Sequence, residues 1–320
     1  MEKLRVGIIG SGKIGTDLLI KTLRSYSLEC ALFIGRNSQS AGMKKARSLG
    51  VATSDESIGA LDTNSKLDLI FDATSAEHHK NHAPVFQELG IKAIDLTPAK
   101  VGPFCVPSID PHLINSETNI NMVTCGGQAS IPIIQILAET FSGISAVSVE
   151  SYLAKDSVGP ATLANIDEYY SSTAHAISQY SGIRSVSVDL SIEDSDWQPD
   201  MLTRIRAYTH QQNVSAVFST LQYRLNLVRQ YVPGYSIVGT PKYENGAIEI
   251  LISVRGQGDW IPSHAGNLDI INCAALCIAE RYAVLRGISS NNASGTHAGG
   301  KRLSALRGLF SRSNSNSSVA

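Results

Sequence analysis

Cys125 is the residue best placed to do chemistry in this 320-residue chain. The run Asn119-Ile-Asn-Met-Val-Thr-Cys125-Gly-Gly-Gln-Ala-Ser-Ile-Pro132 sets one cysteine between an apolar strand and an expected helix start. A helix N-terminus and free backbone N–H groups favour a thiolate, and the thiolate is the nucleophile. Gly126 and Gly127 let the backbone approach a substrate closely and leave N–H groups to hold an oxyanion. Attack by the thiolate on an aldehyde or acyl carbonyl gives such an oxyanion. Hydride exchange with a nicotinamide then interconverts a thiohemiacetal and a thioester. The opposing reading is a buried structural thiol, common for cysteine.

A second constellation supplies the hydride partner. Gly10-Ser11-Gly12-Lys13-Ile14-Gly15 directly follows the apolar run Leu4-Arg-Val-Gly-Ile-Ile9 and opens an amphipathic stretch. In that context the spacing reads as a dinucleotide turn. Gly10 permits the bend, Gly12 admits the pyrophosphate and Gly15 allows close helix–strand packing. Lys13 adds charge near a phosphate or points to solvent. After the next strand, where an acid would hold a ribose 2′-hydroxyl, the chain has Gly35-Arg36-Asn37-Ser38. Arg36 and Ser38 suit a 2′-phosphate, which points to NADP(H) rather than NAD(H) unless Arg36 is an ordinary surface arginine. Asp72-Ala-Thr74-Ser-Ala76 follows another buried strand, where small hydroxyl residues suit a nicotinamide crevice. His78, His79 and His82 come next. Without a third strong ligand they predict a solvated helix start and no metal site.

The elements that must position these groups alternate along the first half. Strands are expected at 4–10, 29–34, 67–71, 92–96 and 120–123, with helices at 13–26 and 40–49. That alternation predicts an α/β fold with a doubly wound parallel sheet. After Phe141 the pattern becomes half-buried antiparallel strands at 147–153, 186–190 and 247–254, with helices at 162–180 and 211–230, an α+β region. Asn267 to Leu285 reads as one apolar helix returning to the first domain. Residues 289–320, rich in Ser, Asn and Gly with Lys and Arg but no acid, read as a disordered basic tail. The expected division is therefore 1–130 with 266–288, then 131–265, then 289–320.

Composition narrows the function classes. A net charge of -1 argues against nucleic acid, and no apolar run reaches membrane-spanning length. No signal peptide is expected. An odd count of five cysteines without a disulfide framework suits a reducing cytoplasm.

Together the motifs resemble one family. Gly10-Ser-Gly-Lys-Ile-Gly-Thr-Asp-Leu18, Phe71-Asp-Ala-Thr-Ser-Ala76, Ile94-Asp-Leu-Thr-Pro-Ala99, Asn121-Met-Val-Thr-Cys-Gly-Gly-Gln-Ala129, Gly159-Pro160, Ala164-Asn-Ile-Asp-Glu168, Tyr231-Val-Pro-Gly-Tyr235 and Ala265-Gly-Asn-Leu-Asp-Ile270 are similar to the acylating acetaldehyde dehydrogenases. These CoA-dependent enzymes often follow a 4-hydroxy-2-oxovalerate aldolase. The resemblance covers roughly residues 4–286. It implies a Rossmann domain with an inserted α+β domain that carries catalysis and a homodimer interface. It implies an acyl-thioester on Cys125, with CoA as cosubstrate. It also implies dinucleotide contacts from Ser11 to Ile14, from Ser157, Val158, Gly159, Pro160, Ala161, Thr162, Leu163, Ala164 and Asn165, and from Asn267.

The chain departs from that pattern in several places. Lys13 stands where the family usually has Asn, Arg36 near its usual acid, and Leu163 where it has Arg. Met201-Leu-Thr-Arg204 lacks an active-site Asp. His264 replaces a Tyr and is a candidate acid–base group against plain drift. The passage Pro241–Gly246 is short, which puts an aldolase partner in doubt. The chemistry is expected to run as an acylating dehydrogenase or, in reverse, as an acyl-thioester reductase. Two rivals stand beside it: a phosphorylating semialdehyde dehydrogenase, for which no Arg pair marks a phosphate site, and a non-catalytic dinucleotide-binding regulator.

Overall fold

The computed structural model describes residues 2–159, 163, 165–194 and 199–288. The expected basic tail and four candidate residues, Pro160, Ala161, Thr162 and Ala164, lie outside them. The first sheet is built from β1 (Leu4–Ile9), β2 (Leu28–Ile34), β3 (Thr53–Ser54), β4 (Leu69–Asp72), β5 (Lys92–Asp95) and β6 (Asn119–Asn121). Its strands are all parallel, in the order β3-β2-β1-β4-β5-β6. That is the doubly wound order of dinucleotide-binding sheets, which reverses direction between β1 and β4. Apolar runs such as Leu69-Ile-Phe are buried on both faces, as a sheet covered by helices requires. The helices between strands are α1 (Lys13–Leu23), α2 (Ala41–Ser48) and α3 (Ala76–Glu88). Ser40 and Ser75 cap the last two by accepting from Met43 N and His78 N.

From β6 the chain turns into α4 (Cys125–Thr140), an apolar helix buried almost throughout. The second sheet follows: β7 (Ala146–Ala154), α5 (Ile166–Ser181), β8 (Val186–Glu193), β9 (Met201–Tyr208), α6 (Phe218–Arg229), β10 (Tyr235–Glu244) and β11 (Ala247–Val254). Its order is β10-β11-β9-β7-β8. The expectation of antiparallel pairing needs correction at one edge, because β7 and β8 run parallel. The connecting α5 makes this a strand–helix–strand crossover, which returns the chain in the same direction. Strands β9 and β10 were not anticipated. Residues 241–244, expected as loop, continue β10, and only Asn245 and Gly246 (φ 52° and 77°) make the turn to β11. Two left-handed residues give the hairpin its native twist.

Alternating residues of β7 and β9 point under the sheet, where α4 packs. The last helix, α7 (Gly266–Leu285), packs on α1 and α4, and Asn272 Nδ2 donates to the Ile14 carbonyl and to Asp17. Thus α4 and α7 join the two sheets into one core. No helix among the described residues is long and apolar enough to cross a membrane.

Candidate active site

The turn that presents Cys125 is strained. Val123 adopts φ 64°, a left-handed conformation rare for a β-branched residue and costing of order 1–3 kcal/mol. Sequence reasoning placed it inside a strand. The bend is held by Asn121 Oδ1, which accepts from Val123 N at 2.8 Å, and Asn121 Nδ2 in turn donates to Asp95 at 2.6 Å. Thr124 then caps α4: its hydroxyl oxygen accepts from Gly127 N at 3.0 Å. Cys125, Gly126 and Gly127 are therefore the first three residues of the helix.

This corrects the expectation for Gly127. Its N–H is taken by the cap and cannot hold an oxyanion. Its lack of a side chain serves packing instead, since a Cβ there would lie 2.5 Å from Val123 Cγ1. The N–H groups of Cys125 and Gly126 face the thiol. The expected ready ionisation of Cys125 also needs correction. The residue is half-buried in an apolar cavity, and burial pushes its thiol up to about 11 despite Tyr169 and the Gly126 N–H, which pull it down. At rest it is a thiol.

Both halves of the fold wall this cavity. Thr74 and Ser75 come from the end of β4, and Leu96, Thr97 and Pro98 from the end of β5. Ile14 comes from α1, Leu153 from β7, Asn165 and Tyr169 from the start of α5, and Asn267, Leu268 and Ile271 from α7. Five expected site residues, Ile14, Thr74, Cys125, Asn165 and Asn267, thus meet around one space. Among the described residues the wall contains no Arg or Lys, so a phosphate would find no cation from them there.

The residues fit a dinucleotide. A Cβ on Gly10 (φ 117°) would lie 2.5 Å from the Ala73 carbonyl, and one on Gly15 would lie 1.8 Å from the Gly10 carbonyl, whereas Gly12 faces open space. Helix α1 starts with neither a side-chain cap nor an acid in its first turn, leaving its N–H groups available to an anion. Asn267 Nδ2 donates to the Ser157 carbonyl at 3.2 Å, while its Oδ1 is buried without a partner among the described residues. That orphan acceptor suits an amide group such as a carboxamide.

Other expected residues lie further out. Arg36 is exposed and approaches His78 Nε2 at 3.4 Å, Ser38 is half-buried nearby, and Ser11 Oγ meets Ser40 Oγ at 3.2 Å. Lys13 donates to the Asp156 carbonyl, and His264 Nε2 lies 2.8 Å from Asp156 Oδ1. Both are thus tied to the turn after β7, and His264 does not line the thiol's cavity. In that turn Ser157 is buried, Val158 half-buried and Gly159 open, while Leu163 is exposed.

The histidines after β4 correct another expectation. His79 and His82 are not solvated. Both are buried, with their Nδ1 atoms 3.0 and 2.8 Å from Asp72 Oδ2. His79 Nε2 approaches Asp95 at 3.5 Å. The cluster braces the Asn121 bend from below. No group of three or more His, Cys, Asp or Glu among the described residues could hold a metal.

Burial alone would lower the His79 pKa, but its bond to Asp72 and the charges of Asp95 and Asp72 raise it. A raised folded value means that the stability it contributes is complete below about 6.5 and is lost as pH rises through the folded value. The melting temperature is therefore expected to fall as pH increases from about 6.5, and His79→Gln should flatten that slope. Thermal unfolding across pH checks this.

The family description "Prokaryotic acetaldehyde dehydrogenase, dimerisation" matches residues 125–262, and "Semialdehyde dehydrogenase, NAD binding domain" matches residues 5–117. An acetaldehyde dehydrogenase of Spirochaeta aurantia is 47% identical over 283 residues, covering 88% of this chain and 95% of its own. The chain belongs to the acetaldehyde dehydrogenase family. A second family member, from Pectobacterium atrosepticum, is 46% identical over 288 residues, covering 89% and 97%. An enzyme of the acetaldehyde dehydrogenase family is an oxidoreductase acting on aldehydes, and the dimerisation match begins on Cys125 itself. At the level of fold, aspartate semialdehyde dehydrogenase with NADP from Candida albicans superposes with TM-score 0.60 at 11% identity, covering 87% and 99% of the two chains. Aspartate semialdehyde dehydrogenase II from Vibrio cholerae gives 0.58 at 15%, covering 89% and 99%.

Proposed function

We propose that this protein interconverts an aldehyde, CoA and oxidised nicotinamide dinucleotide with the acyl-CoA and reduced dinucleotide through a thioester on Cys125. The observation that carries this is the placement of the Cys125 thiol in one cavity with Ile14, Thr74 and the Asn267 Oδ1, unpartnered among the described residues. When bound, the dinucleotide takes or gives the hydride. The chain supplies the rest. Cys125 loses its proton and adds to the carbonyl, and the N–H groups of Cys125 and Gly126 hold the oxyanion. Collapse of that adduct, with the C–H bond of the former aldehyde breaking and its hydride leaving, leaves the acyl group on sulfur. The CoA thiolate then displaces Cys125, and the reverse sequence reduces an acyl thioester. The apolar wall keeps water from the thioester.

Gly10, Gly12 and the start of α1 hold the pyrophosphate, and Asn165 and the Ser157–Gly159 turn complete the cofactor side. His264 acts at the rim, through Asp156. Arg36 and Ser38, with no acid beside them, favour a 2′-phosphate and hence NADP(H). We place the domain boundaries near residues 130 and 266. The second sheet leaves one face open, with Arg204 paired to Glu150 at 2.8 Å, and this face suits a second copy in a homodimer. The tight β10–β11 turn offers no insertion for docking an aldolase, and no such partner is part of this reading.

The test is oxidation of NADPH and NADH by the purified protein with short acyl-CoAs, read by absorbance, with the intact mass of the acylated enzyme alongside. Thioester-dependent oxidation with an acyl adduct on Cys125 is expected. Dinucleotide binding without acylation would favour a regulator. Arg36→Asp is expected to reduce preference for NADPH over NADH by about tenfold or more, the worth of one charge-assisted contact of roughly 1.5–3 kcal/mol. An unchanged ratio would remove Arg36 from cofactor selection.

A further inference from the structure

We propose that Tyr169 is a catalytic residue of the Cys125 site, its buried hydroxyl donating a hydrogen bond to the Cys125 thiolate, with Ser151 and Thr203 polarising it from behind. The proposal deepens the thioester reading and rests on it. Three observations converge. First, Tyr169 and Cys125 are the only titratable groups in the cavity wall among the described residues. Second, the tyrosine oxygen sits directly against the helix start that carries the thiol. A Cβ on Gly126 would lie 2.3 Å from Tyr169 Oη and 3.2 Å from Ser151 Oγ. Glycine at 126 is thus what allows the hydroxyl to enter. Third, a line of hydroxyls runs back from it under the second sheet. Ser151 Oγ and Thr203 Oγ1 are 3.3 Å apart, and both residues are wholly buried.

The tyrosine hydroxyl makes no hydrogen bond of ordinary length and angle among the described residues. Even so, Cys125 and Ser151 are close enough to shift its ionisation. An unsatisfied buried hydroxyl costs about 1–3 kcal/mol. That cost is relieved when a charge appears beside it, which happens when Cys125 ionises. Burial and the neighbouring Cys125 hold the Tyr169 phenol well above its ordinary range. It therefore stays protonated at every step and acts as a donor, never as a base. No proton leaves it. Ser151 is close enough to influence the Tyr169 oxygen, and Ser151 and Thr203 share a hydrogen bond that can run in either direction. Once Cys125 ionises, alignment of the three hydroxyls toward the thiolate would strengthen each donor in turn.

Among the described residues the groups facing this pair are uncharged. Thr74 and Thr97 come from the first sheet, Leu153 from β7 and Asn267 from α7, and Tyr170 stacks edge-on to Tyr169 at 5.8 Å. Among the described residues nothing else in the wall carries a charge that could tune the thiol.

The experiment measures alkylation of Cys125 by iodoacetamide against pH in the full-length protein, read from the mass of its peptide. The parent is compared with Tyr169→Phe and Ser151→Ala. Tyr169→Phe is expected to raise the apparent thiol pKa by about one unit or more, which slows alkylation near neutral pH about tenfold. Ser151→Ala should shift it the same way by less, so the idea survives a phenylalanine variant that folds poorly. A pKa that stays put in both variants would overturn the role of Tyr169. The readout needs no turnover, so an enzyme inactive on every acyl-CoA would defeat the thioester reading alone and leave this measurement standing.

Discussion

Alanine at Cys125 is expected to lower turnover by at least about 10⁴-fold, the scale on which enzymes lose rate when a covalent nucleophile is removed. The dinucleotide should still bind with its parental affinity. The glycine turn after β1 and Asn267 on α7 are left in place by this substitution, and an alanine at the first position of α4 keeps the Thr124 cap. The measurement is a pair: absorbance of the reduced dinucleotide under turnover, and fluorescence titration for binding. No acyl adduct should appear in the intact mass. A variant that still turns over at a comparable rate would take the covalent step away from Cys125. The resting thiol adds a pH signature to the parent enzyme. Burial holds the thiol up near 11 even with Tyr169 beside it, so the rate should climb with alkaline pH.

The second large effect concerns stability. Lys21 lies on α1 with its side chain buried, and its ammonium contacts three carboxylates. Asp17 lies at 2.9 Å, Asp259 at 2.7 Å and Asp269 at 2.8 Å, all three nearly inaccessible to solvent. Burial alone would lower the Lys21 pKa, but Cys273 and the three aspartates outweigh it and raise it. With the folded value above the unfolded one, the contribution is complete at neutral pH and is lost only in strong alkali. Lys21→Met would strand three buried negative charges, with only the exposed Arg24 left on Asp259. Breaking a buried pair in this way costs about 3–5 kcal/mol, a large share of a typical folding free energy of about 5–15 kcal/mol. The urea midpoint should drop accordingly. Adding Asp17→Asn and Asp269→Asn to Lys21→Met should recover part of the loss, because the stranded charge is removed with the cation. A midpoint unchanged by Lys21→Met would mean that water or a rearranged side chain satisfies the carboxylates. The site depends on this cluster indirectly, since α7 carries Asn267 and is fastened to α1 by it.

Much of this protein is decided by local sequence. The apolar runs that alternate with amphipathic stretches determine a parallel sheet, and its order follows from that alternation together with the handedness of strand–helix–strand units. Gly10, Gly12 and Gly15 are legible because the backbone needs them within a single turn. Cys125 is legible because a cysteine before two glycines at a strand end has few structural uses. What the sequence left open concerns pairs of side chains from elements remote in the chain. Nothing near His79 or His82 announces that Asp72 lies beneath them, and a helix start rich in His and Glu reads locally as solvated. Gly127 resembles an oxyanion donor until the cap geometry shows that Thr124 holds its N–H. The thiol at a helix N-terminus promises an easy thiolate, yet the walls that bury it come from β7, α5 and α7, and burial outweighs the helix end. Tyr169 sits on a helix expected to begin near residue 162, with no local mark of function. Only the packing of α5 against the start of α4 brings its hydroxyl to Cys125. Local patterns specify where the backbone turns and which face is apolar. The ionisation state of a buried group is set by every atom around it, and those atoms are assembled by the tertiary fold alone.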